Sequence, residues 1–381
     1  MAACPSKVPG ISTASRISDV EEFQSIPTSG ARDWRFFSIK EEKFLAVANN
    51  FDGLSPDTDS RIYRWNGSLF EEFQKIPTNW ATEWEAFSIE GEHYLAIADN
   101  HSFVLTEKRV LYDIPSRIYK WNGESFVEYQ SIPTMGASGM KFFELGGEHF
   151  LAVANNGGSG GNYLVDSKIY RWNGKQFTLF QSIPTKAALR WEFFHIGTDS
   201  FLAVANYSTD FKTTFAIDSM IYRWDGKQFA EFQAIPTVGA HYWKYFQIGS
   251  DSFLAIANLH SGPKQTNLAI DSKIYRWDGK QFAPFQTIPT TGCVSWDFGT
   301  AGGDCFLAAA SWKNDAGSFH LDSNIYRWDG KQFSLFRSIP TYGASDCAFF
   351  NLNSELCLAV ANGGGGPEGP KTDSKLFRLS R

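Results

Sequence analysis

Three acidic residues occupy one repeated position, and their chemistry suits a hard cation. Asp33, Glu83 and Asp346 each lie directly before the tryptophan position of a recurring strand. The other copies carry Gly139, Arg190, Tyr242 and Ser295 there. Three carboxylates facing one channel repel each other unless a cation or a proton intervenes, and carboxylate oxygens are suitable ligands for Ca²⁺. The pattern predicts an axial Ca²⁺ or similar cation. Solvated channel residues, partly balanced by Arg190 across the ring, are the alternative.

A second set of polar residues ends the strand that reads Phe-Leu-Ala-Val-Ala-Asn. A polar side chain recurs there in every copy, and Ser311 replaces the usual residue once. The candidates for ligand binding are Asn49, Asp99, Asn155, Asn206, Asn258 and Asn362. The alternative is architectural, since Asn and Asp at such places bond to nearby loop backbone. Repetition in nearly all copies favours the architectural role.

No motif in the chain indicates an enzyme. The segment 157–161 matches G-x-S-x-G by letters, but the nucleophile elbow needs a following helix, and no helical pattern follows. The seven histidines lack a zinc-binding spacing, and the five cysteines contain no C-x-x-C pair. We therefore predict a non-enzymatic protein, with an enzyme that uses the axial metal as a minor alternative.

Charge and hydropathy narrow the class of partner. The net charge is −6 without a block of Lys or Arg, so nucleic acid is not an expected partner. No apolar run reaches the length of a membrane span, and the N-terminus has no apolar region typical of an export signal. These features do not determine the compartment, and a cytoplasmic location stays an alternative.

A β-hairpin that recurs along the chain predicts the strands that position these residues. In the copy at 167–185, alternating residues form a strand, Asn173-Gly174 provides a type I′ turn, and Pro184 ends the return strand. The Ile-Pro-Thr ending occurs seven times, at intervals of 50 to 56 residues. Each unit adds two more short strands without helical periodicity, which is typical of a propeller blade.

The two chain ends carry complementary fragments of one unit. Residues 20–28 match only the last strand of a unit, and residues 344–381 lack that strand. The sequence therefore predicts an all-β, seven-bladed β-propeller of four-stranded antiparallel blades, closed by an N-terminal strand clasp. Residues 16–381 form this single domain, and residues 1–15 are expected to be a flexible tail.

The repeated unit resembles the epilepsy-associated repeat, also called the EPTP repeat. The resemblance rests on Ser-x-Ile-Tyr-x-Trp-Asn/Asp-Gly, Phe-x-x-Phe-Gln-x-Ile-Pro-Thr, Trp-x-x-Phe and Phe-Leu-Ala-Val-Ala-Asn, and covers nearly all of residues 16–381. It implies a seven-bladed propeller, an extracellular setting and binding to another protein. It also implies that acidic residues at the position of Asp33, Glu83 and Asp346 act as axial cation ligands.

Three functional hypotheses follow. The variable loops between the second and third strands emerge on one face, so the first is a recognition module that binds a protein receptor through the loop face and channel mouth. This propeller is expected to be monomeric. The second is a multivalent lectin that binds a glycan at equivalent shallow sites, and the third is the axial-site enzyme. The repeated tryptophans could be sugar platforms, but their fixed hairpin position favours packing between blades. They are Trp65, Trp121, Trp172, Trp224, Trp277 and Trp328.

Overall fold

The computed structural model describes residues 16–55, 57–104, 109–158, 160–366 and 369–381. The tail predicted for residues 1–15 lies outside the described residues. Within this part of the chain, no helix is long and apolar enough to cross a membrane. The regular structure consists of strands, as the period-2 patterns predicted.

The described residues form seven four-stranded antiparallel sheets and one short hairpin. β1 (Asp19–Ile26) precedes the first blade. Blade 1 contains β2 (Ala31–Ile39), β3 (Glu42–Asn49), β4 (Asp57–Trp65) and β5 (Phe70–Asn79). Blade 2 contains β6 (Ala81–Ile89), β7 (Glu92–Asp99), the hairpin β8 (Ser102–Val104) and β9 (Arg109–Leu111), β10 (Pro115–Trp121) and β11 (Phe126–Pro133). Blade 3 contains β12 (Ala137–Leu145), β13 (Glu148–Asn155), β14 (Asp166–Trp172) and β15 (Phe177–Pro184).

The remaining four blades repeat this order. Blade 4 contains β16 (Ala188–Ile196), β17 (Asp199–Asn206), β18 (Ala216–Trp224) and β19 (Phe229–Val238). Blade 5 contains β20 (Ala240–Ile248), β21 (Asp251–Asn258), β22 (Ser272–Trp277) and β23 (Phe282–Ile288). Blade 6 contains β24 (Cys293–Ala301), β25 (Asp304–Ser311), β26 (His320–Trp328) and β27 (Phe333–Tyr342). Blade 7 contains β28 (Ala344–Leu352), β29 (Glu355–Asn362) and β30 (Ser374–Ser380).

The first strand of each blade is the innermost one. These strands pack against each other around a closed ring, with β2 contacting both β6 and β28. Blade 7 takes its outer strand from the other end of the chain, because β1 pairs antiparallel with β30, Asp19 opposite Ser380 and Ile26 opposite Ser374. The ring is therefore closed by hydrogen bonds between the two ends of the chain, in the arrangement predicted from the complementary fragments.

A buried Ser–Thr pair accounts for much of the repeated motif. In blade 3, Ser167 Oγ lies 2.8 Å from Thr185 Oγ1, and Thr185 Oγ1 donates to Val165 O at 2.8 Å. The backbone N–H of Asn155, at the end of the neighbouring strand, donates to Ser167 Oγ. Ser–Thr pairs at 2.8 to 3.1 Å recur in all seven blades. The motif thus supplies partners for polar groups that the fold buries.

Neighbouring blades are joined by a glutamine and by stacked aromatic rings. Gln181 Nε2 donates to Phe229 O at 2.8 Å, and its Oε1 accepts from Phe229 N at 3.0 Å. The same two bonds are made at five other junctions by Gln24, Gln74, Gln130, Gln233 and Gln286. Closer to the axis, Phe143 stacks on Phe193 of the next blade with ring centroids 4.3 Å apart.

The junction between blades 6 and 7 differs from these six. Arg337 stands in place of the glutamine, and its guanidinium donates to Ser18 O at 2.9 Å and Asp19 Oδ1 at 3.2 Å. Arg337 therefore ties blade 6 to the N-terminal strand that completes blade 7.

Candidate binding site in the axial channel

A β-bulge in the innermost strand of every blade turns an additional side chain toward the channel mouth. In blade 1, Ala31 pairs with Asn49 and Asp33 with Ala48, so Arg32 is the extra residue. The same shift occurs in the other six innermost strands. A bulge re-aims side chains without ending the strand. The channel is thus lined by three successive tiers of residues.

We name the tiers by their depth. The mouth tier is Arg32, Thr82, Ser138, Leu189, His241, Val294 and Ser345. The middle tier is Asp33, Glu83, Gly139, Arg190, Tyr242, Ser295 and Asp346. The lower tier is Arg35, Glu85, Lys141, Glu192, Lys244, Asp297 and Ala348.

The three carboxylates of the middle tier bind the backbone of the next blade. Asp33 Oδ2 accepts from Trp84 N at 2.9 Å. Glu83 Oε2 accepts from Met140 N at 2.7 Å, and Asp346 Oδ2 accepts from Trp34 N at 3.2 Å. Each carboxylate therefore joins two innermost strands, and together they connect blades 7, 1, 2 and 3.

The charge that balances these carboxylates comes from the protein. The Arg35 guanidinium lies 3.8 Å from Glu83 Oε1 and 3.2 Å from Glu85 Oε2, and Arg190 Nε lies 3.3 Å from Glu83 Oε1. No group of three or more His, Cys, Asp or Glu among the described residues is placed to hold a metal ion. Arg35 and Arg190 thus provide the positive charge beside Glu83, and the axial cation held by Asp33, Glu83 and Asp346 stays a prediction.

Burial shifts the protonation of this tier. Burial raises the pKa of Glu83 to about 8, although Arg190 and Arg35 act in the opposite direction. Burial, followed by repulsion from Asp33, raises the pKa of Asp346 to about 7. Burial also raises the pKa of Asp33, against the attraction of Arg35 and Arg190. Desolvation of carboxylates thus outweighs their ion pairs here.

The lower tier alternates in charge around the ring. Arg35, Glu85, Lys141 and Glu192 follow one another in blades 1 to 4, and Lys141 Nζ lies 3.8 Å from a carboxylate oxygen on each side. Lys244 and Asp297 continue the alternation with an ion pair of 2.7 Å. Seven positions cannot alternate completely, and the uncharged Ala348 occupies the odd one. This tier therefore balances its own charge.

The mouth tier forms the floor of a cup on the loop face. The cup has a volume of about 210 Å³, and its walls are loop residues that include Trp80, Tyr207, Phe211 and Trp312. The floor carries five kinds of chemical group: a hydroxyl in three blades, and a guanidinium, an isobutyl, an imidazole and an isopropyl group in one blade each. This asymmetry contrasts with the repeated contacts farther from the axis.

The candidate ligand residues at the strand ends have an architectural role. Asn206 is buried, its Oδ1 accepts from Lys186 N at 3.1 Å, and its Nδ2 donates to Asp218 O at 3.0 Å. The other asparagines make the same two kinds of bond: Asn49, Asn155, Asn258 and Asn362. Backbone groups thus engage both ends of each amide, which supports the architectural alternative, and ligand binding by these residues stays a prediction.

Asp99 occupies the same strand-end position in blade 2, with a carboxylate in place of the amide. Its Oδ1 accepts from Asn79 N at 2.8 Å, and its Oδ2 accepts from Arg117 at 2.6 and 2.9 Å. A carboxylate cannot donate as the amide does, so Arg117 takes the remaining oxygen. Burial raises the pKa of Asp99 to about 6. Asp99 therefore also belongs to the fold rather than to a binding surface.

The sequence interpretation missed the mouth and lower tiers. The spacing of the core residues in this strand contains the missing information. Ala31 and Trp34 are three positions apart, yet both pack into one core cluster. Two core-facing residues of a regular strand are an even number of positions apart. The odd spacing, repeated in each blade, indicates the bulge and hence the position of Arg32.

Comparison with known proteins identifies the repeat. The sequence profile described as the EPTP domain matches residues 21–66, 69–122, 125–173, 176–225, 228–278 and 281–329. The chain is 36% identical over 314 residues to the thrombospondin-type laminin G domain and EAR repeat-containing protein of Mus musculus, covering 65% of this chain and 46% of the relative. Identity to the Homo sapiens protein of that name is 37% over 328 residues, covering 68% and 47%.

A second group of relatives is more distant. Leucine-rich repeat LGI family member 3 of Macaca fascicularis is 28% identical over 204 residues, which is 51% of this chain and 32% of the relative. The chain thus spans less than half the length of these curated relatives.

Proposed function

The chain belongs to the EPTP repeat family, as its repeated motif predicted, and from this premise we propose that it is a non-enzymatic recognition module that binds a protein partner through its loop face and channel mouth. The asymmetry of the mouth tier supports this proposal most. Seven nearly equivalent blades present a guanidinium, an imidazole, two aliphatic side chains and three hydroxyls at one opening. A single asymmetric partner matches such a surface better than a repeated small ligand does.

The tryptophans that a lectin would use as sugar platforms pack against neighbouring aromatic rings. Trp172 lies with its ring centroid 5.8 Å from Tyr94 of the preceding blade and 5.3 Å from Phe177 of its own. Equivalent contacts hold Trp121 and Trp277. The expectation that these residues pack between blades is confirmed, and the multivalent lectin loses its main support.

We propose that this chain binds its partner outside the cytosol. Cys305 is disulfide-bonded, whereas Cys293, Cys347 and Cys357 are free and buried. The remaining cysteine, Cys4, lies outside the described residues. Disulfides persist mainly in oxidising compartments, so this bond supports the extracellular location that the family resemblance implies. Peptide mass mapping without reductant tests it, and a free thiol at Cys305 in secreted protein would contradict it.

A monomeric propeller is supported by the form of its outer edges. In blade 1, Ile62 pairs with Gln74 and Tyr63 with Glu72, which leaves Phe73 as a bulged residue in the outer strand. The same bulge occurs in the outer strands of the other six blades. Bulges discourage pairing of edge strands between molecules. Sedimentation velocity should give one species at the mass of a single chain.

Binding to parallel arrays of extracellular proteins and glycans tests the proposed function. Leu189→Ser changes the mouth tier, and Leu179→Ser makes the same change on an outer strand where the side chain is 58% exposed. We expect a protein ligand that binds the unmodified chain and Leu179→Ser but binds Leu189→Ser at least tenfold more weakly. Binding to glycans alone, or equal binding by both variants, would overturn the proposal.

A further inference from the structure

Arg32 is a cation in the mouth tier that has no anionic partner. Its side chain is half-buried and lines the cup, yet it makes no hydrogen bond or ion pair with any described residue. Arg35 and Arg117, by contrast, each lie within 3.2 Å of a carboxylate oxygen. A partly buried charge without a partner is unfavourable, so Arg32 is prepared for an anion that the described residues do not supply.

The surroundings of Arg32 increase the positive potential of the cup. Arg190 also lines the cup, and its guanidinium donates to Thr82 O at 2.8 Å while it pairs with Glu83 below. Burial and the charge of Arg190 lower the pKa of Arg32 to about 10. Burial and the same two arginines lower the pKa of His241 to about 3, so its imidazole is neutral. An anion in the cup would relieve the repulsion between the two guanidinium groups.

Beside its polar residues, the cup has an apolar wall. Trp80, Phe211 and Trp312 contribute aromatic surface, and Leu189 and Val294 contribute aliphatic surface. A volume of about 210 Å³ admits a side chain or a small molecule and excludes a folded element. The cup thus combines one unpaired guanidinium with an apolar wall at short range.

We infer that the cup binds a carboxylate carried on an apolar group, with Arg32 as its charge partner and the aromatic wall as the surface for the apolar part. The carboxylate is either that of a free small acid or an acidic group on the docking protein. For the second source the inference rests on the proposed function. Charge-assisted hydrogen bonds to guanidinium are strong and geometrically specific, so Arg32 would select for charge and the wall for shape.

The free acid is tested with 3-phenylpropionate and its uncharged amide in a buffer without other carboxylates. We expect the acid, but not the amide, to raise the melting temperature of the unmodified chain. Arg32→Gln should abolish this response, and Arg32→Lys should retain part of it. Arg32 has no partner to lose, so Arg32→Gln should fold at least as stably as the unmodified chain. Lys186→Gln, which removes an exposed charge from the loop face, is the matched control and should respond as the unmodified chain does.

The protein-borne source is tested by selecting a random displayed peptide library on the unmodified chain with counter-selection on Arg32→Gln. Enriched peptides should carry Asp or Glu next to an apolar residue, and replacing that acid by its amide should weaken binding at least tenfold. The inference is overturned if neither the acid nor any peptide depends on Arg32. If peptides bind the loop face independently of Arg32, the inference fails while the proposed function stands.

Discussion

The outer part of the propeller repeats its contacts from blade to blade, whereas the side chains at its axis vary. We call the outer part, with its Ser–Thr pairs and glutamine bridges, the shell. In the shell, the Ser–Thr pair recurs in seven blades and the glutamine bridge in six junctions with nearly identical distances. At the axis, the middle tier holds three acids, an arginine, a tyrosine, a serine and a glycine. Each blade therefore carries invariant groups in its two outer strands and variable groups in its innermost strand.

This difference separates folding from recognition. A repeat protein gains stability from interfaces between equivalent units, so a residue that recurs in every blade is explained by architecture. The strand-end asparagines illustrate this, because both ends of each amide bond to backbone. Residues that depart from the repeat, such as Arg32 and His241, are the ones available for a partner.

Removing residues 1–27 should have the largest effect, because it deletes the one strand that the shell borrows from the other end of the chain. β30 would lose one of its two antiparallel partners, and Arg337 would lose its acceptors at Ser18 and Asp19. We expect insoluble or unfolded protein, measured by size-exclusion chromatography and circular dichroism. A synthetic peptide of residues 16–28 should restore solubility. A monodisperse, folded deletion variant would show that the ring closes without β1.

Substituting one threonine of the shell should lower the free energy of unfolding by about 1–3 kcal/mol, because it leaves buried polar groups without a partner. Thr185→Val keeps the shape but leaves the Ser167 hydroxyl without its acceptor and Val165 O without its donor. Thr237→Val should cost a similar amount in blade 4, since its contacts are equivalent. Urea unfolding of both variants measures this. Costs that differ severalfold between the blades would contradict the equivalence of the shell.

The axis should make the free energy of unfolding fall as the pH rises from about 4.5 to 8. The pKa of Glu83 is raised to about 8 and that of Asp346 to about 7, both above the ordinary value for an unfolded chain. The folded state then binds more protons, so its advantage is present at low pH and is lost as pH rises through these values. The slope should be of order 1 kcal/mol per pH unit across this range.

Glu83→Gln is the matched variant for this pH effect. Its amide oxygen can still accept from Met140 N, and its charge is absent. The variant should therefore lose less stability than the unmodified chain over the same pH range. Equal slopes in melting experiments would show that Glu83 does not titrate in the folded protein.

Calcium should have the smallest effect on the unmodified chain, because Arg35 already balances the acidic side of the channel. Melting curves with calcium and with chelator are expected to coincide. Arg35→Gln removes the guanidinium from beside Glu83 and Glu85, so this variant should gain a calcium-dependent rise in melting temperature. A rise in the unmodified chain would restore the axial cation predicted from the sequence.

The repeat made the fold predictable from sequence, but only part of the site. Asn173 and Pro184 determine a turn and a strand end through local chemistry, but the predicted type I′ turn is wrong. The loop covers residues 173–176, and Gly174 has a positive φ of 92° whereas Asn173 does not. The complementary fragments at 20–28 and 344–381 determine ring closure. The position of Asp33 on the innermost strand was also predictable. Its partners were not, since they come from the next blade and from a bulge that the period-2 pattern does not describe. Arg35 lies two residues farther along the same strand, and its proximity to Glu83 depends on how the two blades pack.

The number of partners bound by one propeller tests most directly whether recognition belongs to the asymmetric axis. Native mass spectrometry of the chain with the protein it binds on the extracellular array measures this number. An asymmetric mouth predicts one partner per chain and its loss in Leu189→Ser. Several equivalent partners on one chain, unaffected by Leu189→Ser, would show that binding belongs to the repeated shell.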